Sequence, residues 1–474
     1  MRAASLAGIL ILAPVCSGAI TAVALPDPQV AGFSFPESEA TIAGWVQDLE
    51  NGPPDAAAAA FEKINLHGWG LWTALTAQSS MVENGQRMRV FETWYTPQEL
   101  SDQLAAGATA LPAGTTGSAA ARTVTPRRRA ALLVLNQFSH VAGSAARTAN
   151  GAGQVIGFVK YDPTASDHIL KQQLLSTAAL TTLLRSGAQQ IPVFPSTALT
   201  LKAAFQVAAS GTLVGGRYYR LKAWPGPPAT PQAWDPTKWP GCVWIDILGG
   251  GSGNGAVDGV ASTDGSSRTE ATTYPVSSLI SYRLSAADAG ALDLTQPTLG
   301  AKAGDTAILV AMHVAGRETT RWTWQTFWWT PTPDDPHLPS SQAIASLRPA
   351  QLSGAARNYA MALGYDMLSP GQPFVGGANS GLAVYVYNPW LEAHFGPADL
   401  PDSVAGFDPA GQPAANNTGV ASNCMTCHAR ANYNPDKVAG APRYSGARYV
   451  DLADPQFAGT LQLDFLWSLP GSAQ

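Results

Sequence analysis

Two cysteines stand three positions apart in "SNCMTCHARA", and a histidine follows the second directly: Cys424, Cys427 and His428. Two thiols at this spacing reach the two vinyl groups along one edge of a porphyrin, and the next residue then sets its imidazole under the iron as an axial ligand. From composition alone, a chain of this length meets the pattern by chance roughly five times in ten thousand. The spacing therefore predicts one covalently attached haem c, with His428 as the proximal iron ligand. A structural zinc site needs four ligands, normally two spaced pairs, and only Cys242 is left to add sulfur. A thioredoxin-like redox pair needs a Cys-x-x-Cys at a helix start in a βαβ setting, and the preceding "PAANNTGVASN" belongs to no such unit.

The rest of the chain has to hold that motif. In small electron-carrier cytochromes the attachment motif opens the domain and a Met ligand follows it; here the 46 residues after His428 contain neither Met nor His. Either an upstream residue closes the distal side, or the iron is left open to an outside ligand. His313 in "VAMHVAG" is the candidate distal residue, with His67 in "INLHGWGLW", Met312 and Met361 behind it. His140, His168, His337 and His394 lie in turn-like or polar settings.

The chain has 474 residues, of which 46% are hydrophobic and 13% charged, with 46 Gly, 36 Pro and 14 Trp. That composition predicts a packed core with many turns and aromatic contacts, hence a mainly β or α+β fold with antiparallel sheets, peripheral helices and long loops around one haem. A net charge of −5 offers no basic face for nucleic acid. The local exception, Arg127–Arg129, sits in a low-complexity stretch that reads as a solvated loop. The N-terminus carries Arg2, an apolar run from Leu6 to Val15 and small residues at Ala22 and Ala24, which reads as a secretory leader over 1–24 cleaved after Ala24. Residues 25–474 are then one strand-rich, haem-binding unit, periplasmic or otherwise exported. No segment has the roughly 18 apolar residues of a membrane span. A lipoprotein reading through Cys16 is disfavoured by the poor "APVC" match.

Helices are expected around "SEATIAGWVQDL" and over "SDHILKQQLLSTAALTTLLRSG", the second opened by an Asp-type cap. "RMRVFETWYTP", "GQVIGFVKYD", "ALTLKAAFQVA" and "CVWIDIL" read as strands, and "TAILVAMHVAGRETTRWTWQTFWWTP" as the strongest strand pair. The Gly/Ser run 249–267 lacks the signatures of a phosphate-binding loop and reads as a surface loop. "WYTP" at 94–97 echoes "WWTP" at 328–331 and hints at a duplicated strand unit. Trp322, Trp324, Trp328 and Trp329 are expected in sheet packing, Cys242 as a small buried hydrophobe, and Lys202 as a surface lysine.

"NNTGVASNCMTCHARA", "AMHVAGRETTRWTWQTFWW", "RVFETWYTP" and "LTLKAAFQV" together resemble a family of exported bacterial cytochrome c-like proteins. In that family a His-containing strand precedes a Trp-x-Trp-x-Thr-Phe strand, and a Cys-Met-x-Cys-His motif comes near the end. This chain departs from the pattern at Trp328 and Trp329, where a polar ending is expected. At the level of architecture it is also similar to β-sheet cytochromes with one c haem near the C-terminus, which bind or oxidise small nitrogen compounds or diatomic gases. The resemblance implies an exported mono-haem protein with a small-molecule substrate or ligand, and a redox partner protein if it turns over. Three activities follow: a haem oxidoreductase, favoured because a carrier needs only about 100 residues to hold a haem, an electron-transfer cytochrome, and a gas-binding or sensing protein.

Overall fold

The computed structural model describes residues 22–111, 155–230, 232–365, 375–377, 386–395, 406–407, 413–414, 424–435 and 449–469. The expected leader up to residue 21, Cys16, Arg127–Arg129 and His140 lie outside them. Mainly antiparallel sheets with flanking helices make up the fold, as composition and strand patterning predict, the pairing of Cys242–Asp246 with Thr273–Pro275 being parallel. The principal sheet has the order β11–β10–β9–β4–β3, with strands β3 (Ile156–Tyr161), β4 (Leu199–Ala208), β9 (Thr306–Gly316), β10 (Thr323–Trp329) and β11 (Tyr359–Leu363). Beyond a bulge at Ala204/Phe205, the short β8 (Ser281–Arg283) also pairs with β9. A separate three-stranded sheet joins Tyr218–Lys222, Cys242–Asp246 and Thr273–Pro275, and Cys242 is fully buried within it.

Helix α1 (Glu39–Asn51) is capped by the Ser38 hydroxyl, which accepts the Thr41 N–H. Helix α2 (Pro54–Thr76) opens on Pro54, where a missing N–H costs nothing, and its second half is buried on nearly every side. It lies against one face of the main sheet: Trp72 stacks on Phe327 with ring centres 4.3 Å apart, and Trp69 lies 6.1 Å from the same ring. Gly68 permits this approach, since a Cβ there would come within 2.8 Å of Met361 Sδ, and Gly70 makes room for the Phe33 ring of the N-terminal segment. Each aromatic side chain buried here contributes on the order of 2–3 kcal/mol of hydrophobic stabilisation.

Several local expectations change. "RMRVFETWYTP" is not one strand: β2 (Gln86–Arg89), the partner of β1 (Gln78–Glu83), ends before a 3-10 turn at Phe91–Thr93. The chain then enters α3 (Pro97–Ala105) through a capping box between Thr96 and Glu99. The "WYTP" and "WWTP" echo is therefore no structural repeat, since the first leads into a helix and the second closes β10. The long helix splits into Pro163–Gln172 and Thr177–Arg185 where Gln173 turns left-handed, and its cap is Asp162, one turn earlier than the sequence suggests. Val23, inside the expected leader, is already tied in: its N–H donates to Thr93 Oγ1, and its carbonyl accepts the Trp94 indole N–H. One contiguous core runs from Ala22 to Leu469. Among the described residues no helix is long and apolar enough to cross a membrane.

Candidate functional site

Cross-strand partners share a face of a sheet, and neighbours along a strand alternate. The registers Val159↔Lys202, Lys202↔His313, His313↔Thr326 and Thr326↔Ala362 therefore set one row of side chains across five strands, all on the face away from α2. Two places from Thr326 on the same face is Trp324, and its indole lies 4.5 Å from the His428 ring. The sheet face carrying Lys202 and His313 thus looks toward the Cys424–His428 helical turn. Around that row stand small residues, Gly157, Ala204, Ala311, Ala315, Ala360 and Ala362, together with the bulky Tyr161, Trp324 and Trp328.

Accessibility singles out the same residues. In β4 every residue is buried except Lys202, and in β9 every residue except His313. Glu392 lies between buried Leu391 and Ala393, and Cys424, Cys427 and His428 are partly accessible around buried Met425 and Thr426. Six side chains with the chemistry of a site keep more surface than most of their neighbours. Their charges act on one another as well: those of His313, Lys202 and Glu392 are all felt at His428.

His428 is oriented by the backbone behind it. Its Nδ1 lies 2.7 Å from the Phe465 carbonyl oxygen. A carbonyl can only accept, so Nδ1 carries the proton. Burial pushes the imidazole pKa down to about 4, helped by the His313 and Lys202 charges, so the ring is neutral near pH 7 and Nε2 holds its lone pair. The supporting carbonyl sits in a strained corner. Asp464 and Phe465 have φ of +44° and +69°, and Trp322, whose indole lies 3.5 Å from Asp464 Oδ1, has φ of +63°. Left-handed backbone at such residues costs on the order of 1 kcal/mol each. Asp464 Oδ2 fixes the corner by accepting the Phe194 N–H at 2.9 Å and Arg317 Nε–H at 3.1 Å. Trp467 closes the other end of the turn by donating its indole N–H to the Cys427 carbonyl at 3.2 Å.

Both thiols are free. Burial raises the Cys424 thiol well above its ordinary pKa and the Cys427 thiol to about 11, so neither is an activated thiolate of the kind a redox pair needs. On the facing wall, His313 Nε2 lies 2.7 Å from Glu392 Oε1, and the Asn388 N–H donates to Glu392 Oε2 at 2.6 Å. Asn388 is itself pinned to β10, donating Nδ2–H to Thr326 Oγ1 and to the Phe327 carbonyl. Burial works against the Glu392 charge, but the His313 contact, the Asn388 N–H and the Lys202 charge outweigh it and hold the carboxyl below the ordinary range. Lys202 is lowered to about 8, chiefly by burial against the opposing pull of Glu392.

His313 stands on the sheet face that carries Trp324, with Nε2 engaged by Glu392. The other candidates lie elsewhere. Met312 and Met361 pair with Phe327 on the α2 face, turned from His428 by the thickness of the sheet. His67 is on that side too, in a closed cluster with Nδ1 2.6 Å from Tyr365 Oη and Nε2 3.1 Å from Glu318 Oε1. Lys202 is not the surface lysine its sequence suggests, and Trp324 packs on a candidate ligand rather than serving the core alone. Glu392 and Asn388 escape a sequence reading, since nothing in "VYVYNPWLEAHF" marks them before the sheet is assembled.

A cavity of about 370 Å³ bordered by Ser101, Leu104, Gln173 and Thr177 lies apart and has no titratable lining. Among the described residues no group of three or more His, Cys, Asp or Glu could hold a bare metal ion. A neutral imidazole with an unprotonated Nε2 and two partly exposed thiols in the same turn are the donor set that a cofactor tethered through sulfur would need. No protein-family model, curated protein or solved structure matches the chain.

Proposed function

We propose that this chain is an exported mono-haem c-type protein that works as an oxidoreductase on a small molecule. Cys424 and Cys427 would hold the haem through thioether bonds, and His428 Nε2 would be the proximal iron ligand. One observation carries the reading: His428 Nδ1–H donates to the Phe465 carbonyl, which leaves Nε2 with its lone pair in a turn whose two thiols both keep partial exposure. Iron in such a group supplies one-electron chemistry and a coordination position for a small ligand. The protein's part is to fix His428 against Trp324 and Phe465, and to present Lys202 and His313 from the sheet and Glu392 from the segment 386–395. The leader-like N-terminus and the resemblance to exported cytochrome c-like proteins support export, and electrons would be exchanged with a separate redox protein.

The test is covalent retention. Denatured protein should keep haem stain on a gel, and Cys427→Ala should lose most of it; release of the stain from unmodified protein by acid-acetone overturns the assignment. In the ferrous protein carbon monoxide should shift the absorption spectrum. A low-spin spectrum indifferent to carbon monoxide would replace the oxidoreductase reading with electron transfer.

A further inference from the structure

The N-terminus offers two places for a leader to end, and they differ in what they leave behind. A leader peptidase reads small side chains one and three residues before the bond it cuts. Ala22 and Ala24 form such a pair, and so do Ser17 and Ala19, just beyond the apolar run that ends at Val15. Packing separates the two. Ala22 is 1% exposed and belongs to the principal core, and Val23 and Leu25 pack against it. Val23 is fastened on both sides: its N–H donates to Thr93 Oγ1 at 2.9 Å, and its carbonyl accepts the Trp94 indole N–H at 2.8 Å. Thr93 and Trp94 are fully buried. Cutting after Ala24 would take an alanine out of the core and strip a buried indole N–H of its acceptor, which costs more than the bond itself is worth because the donor has already given up its water. The arm stays built in beyond this point. Val30 is buried, Phe33 fills the space that Gly70 leaves and lies 5.4 Å from the His67 ring, and the Glu37 N–H donates to Glu318 Oε1 at 2.8 Å. From Ala22 onward the segment is part of the fold rather than the tail of a leader.

Resting on the export reading, we propose that the leader is cut between Ala19 and Ile20, so that the exported chain begins at Ile20 and keeps residues 22–25 as a fastening for Thr93 and Trp94. The step is hydrolysis by an endopeptidase specific for small side chains. The C–N bond between Ala19 and Ile20 breaks, water gives its hydroxyl to the Ala19 carbonyl carbon and a proton to the Ile20 nitrogen, and nothing is oxidised or reduced.

The test reads the N-terminus of the full chain exported from a bacterial host, by intact mass and by sequencing of the first residues. A start at Ile20 supports the proposal, and a start at Leu25 overturns it. Two substitutions separate the sites in the same assay. Ala19→Leu should block the cut, whereas Ala24→Leu, at an exposed position, should change the exported mass by the substitution alone; the reverse pattern overturns the proposal. A second readout needs no peptidase. Chains made to begin at residue 20 and at residue 25, each behind an initiating Met, are unfolded in denaturant. The shorter one should show an unfolding equilibrium constant about ten- to a hundredfold larger, the range for one buried donor left without its partner. Equal stability would remove the physical reason for keeping residues 22–24 and overturn the proposal. A chain that keeps Met1 and stays in the cytoplasm would instead strike the export reading, and the proposal with it.

Discussion

Two histidine–glutamate pairs lie on opposite faces of the same sheet. His67 and Glu318 are 3.1 Å apart with side-chain exposures of 2% and 0%; His313 and Glu392 are 2.7 Å apart with 21% and 15%. The first is sealed: Glu318 also accepts the Glu37 N–H and the Thr323 hydroxyl, and Tyr365 bridges His67 to Gln325. Every partner is protein, which is how a buried polar cluster locks the packing of α2 and the sheet. The second keeps open surface beside Lys202 and faces Cys424, Cys427 and His428. Identical pairs of side chains can therefore be a fastening or a working part. The difference lies in burial: the first pair is shut in beneath α2, and the second keeps partial exposure.

The largest effect expected is on the sealed pair. Glu318→Ala should cost about 3–5 kcal/mol in denaturant unfolding, because it leaves the Glu37 N–H and the Thr323 hydroxyl without their shared acceptor and removes the carboxylate 3.1 Å from the buried His67 ring. Glu392→Ala should cost roughly 1–2 kcal/mol, since water can reach the groups it leaves. Equal costs for the two would erase the distinction.

Next comes the acid response of the folded chain itself, which sharpens the account of the second face. In the unfolded chain His428 titrates near its ordinary value of 6.5, and in the fold near 4. Its contribution is therefore complete above about pH 6.5 and is lost as pH falls toward 4, at about 1.4 kcal/mol per pH unit and about 3 kcal/mol in all. His428→Gln should flatten that part of the stability–pH curve. An unchanged slope would mean that the imidazole is not held neutral by burial.

The smallest effect tests which face matters. Met312→Leu replaces a thioether on the α2 face by a side chain of similar volume and should cost less than about 1.5 kcal/mol. The absorption spectrum of the loaded protein should not change. A shift of the spectrum would put Met312 on the iron and reverse the assignment of the two faces.

The strands that carry the site were legible because their pattern is strong. β4, β9 and β10 are long runs of apolar, aromatic and β-branched residues, and "CMTCH" has a spacing with few alternative uses. "RMRVFETWYTP" misled for a local reason: its aromatic alternation looks like a strand, but the Thr96–Glu99 capping box and Pro97 commit its end to a helix. Lys202 misled because β4 is buried on both faces, so the usual inference that a lysine marks the solvent side fails there.

By itself the sequence determined the chemistry available: two thiols and an imidazole at attachment spacing, no Met or His after them, and a strand-rich chain long enough to enclose a cofactor. These follow from residue identity and short-range spacing, which need no fold to be read. Only the tertiary structure decided which distant residues meet that motif. Lys202, His313 and Thr326 are far apart in the chain and become neighbours through the register of three strands, with alternation sending Met312 to one face and His313 to the other. Glu392 enters through Asn388, whose bonds to β10 pin an otherwise unremarkable segment. Register is a property of pairing, set by the burial of both faces at once, so a single strand cannot announce which of its side chains will stand across from a partner.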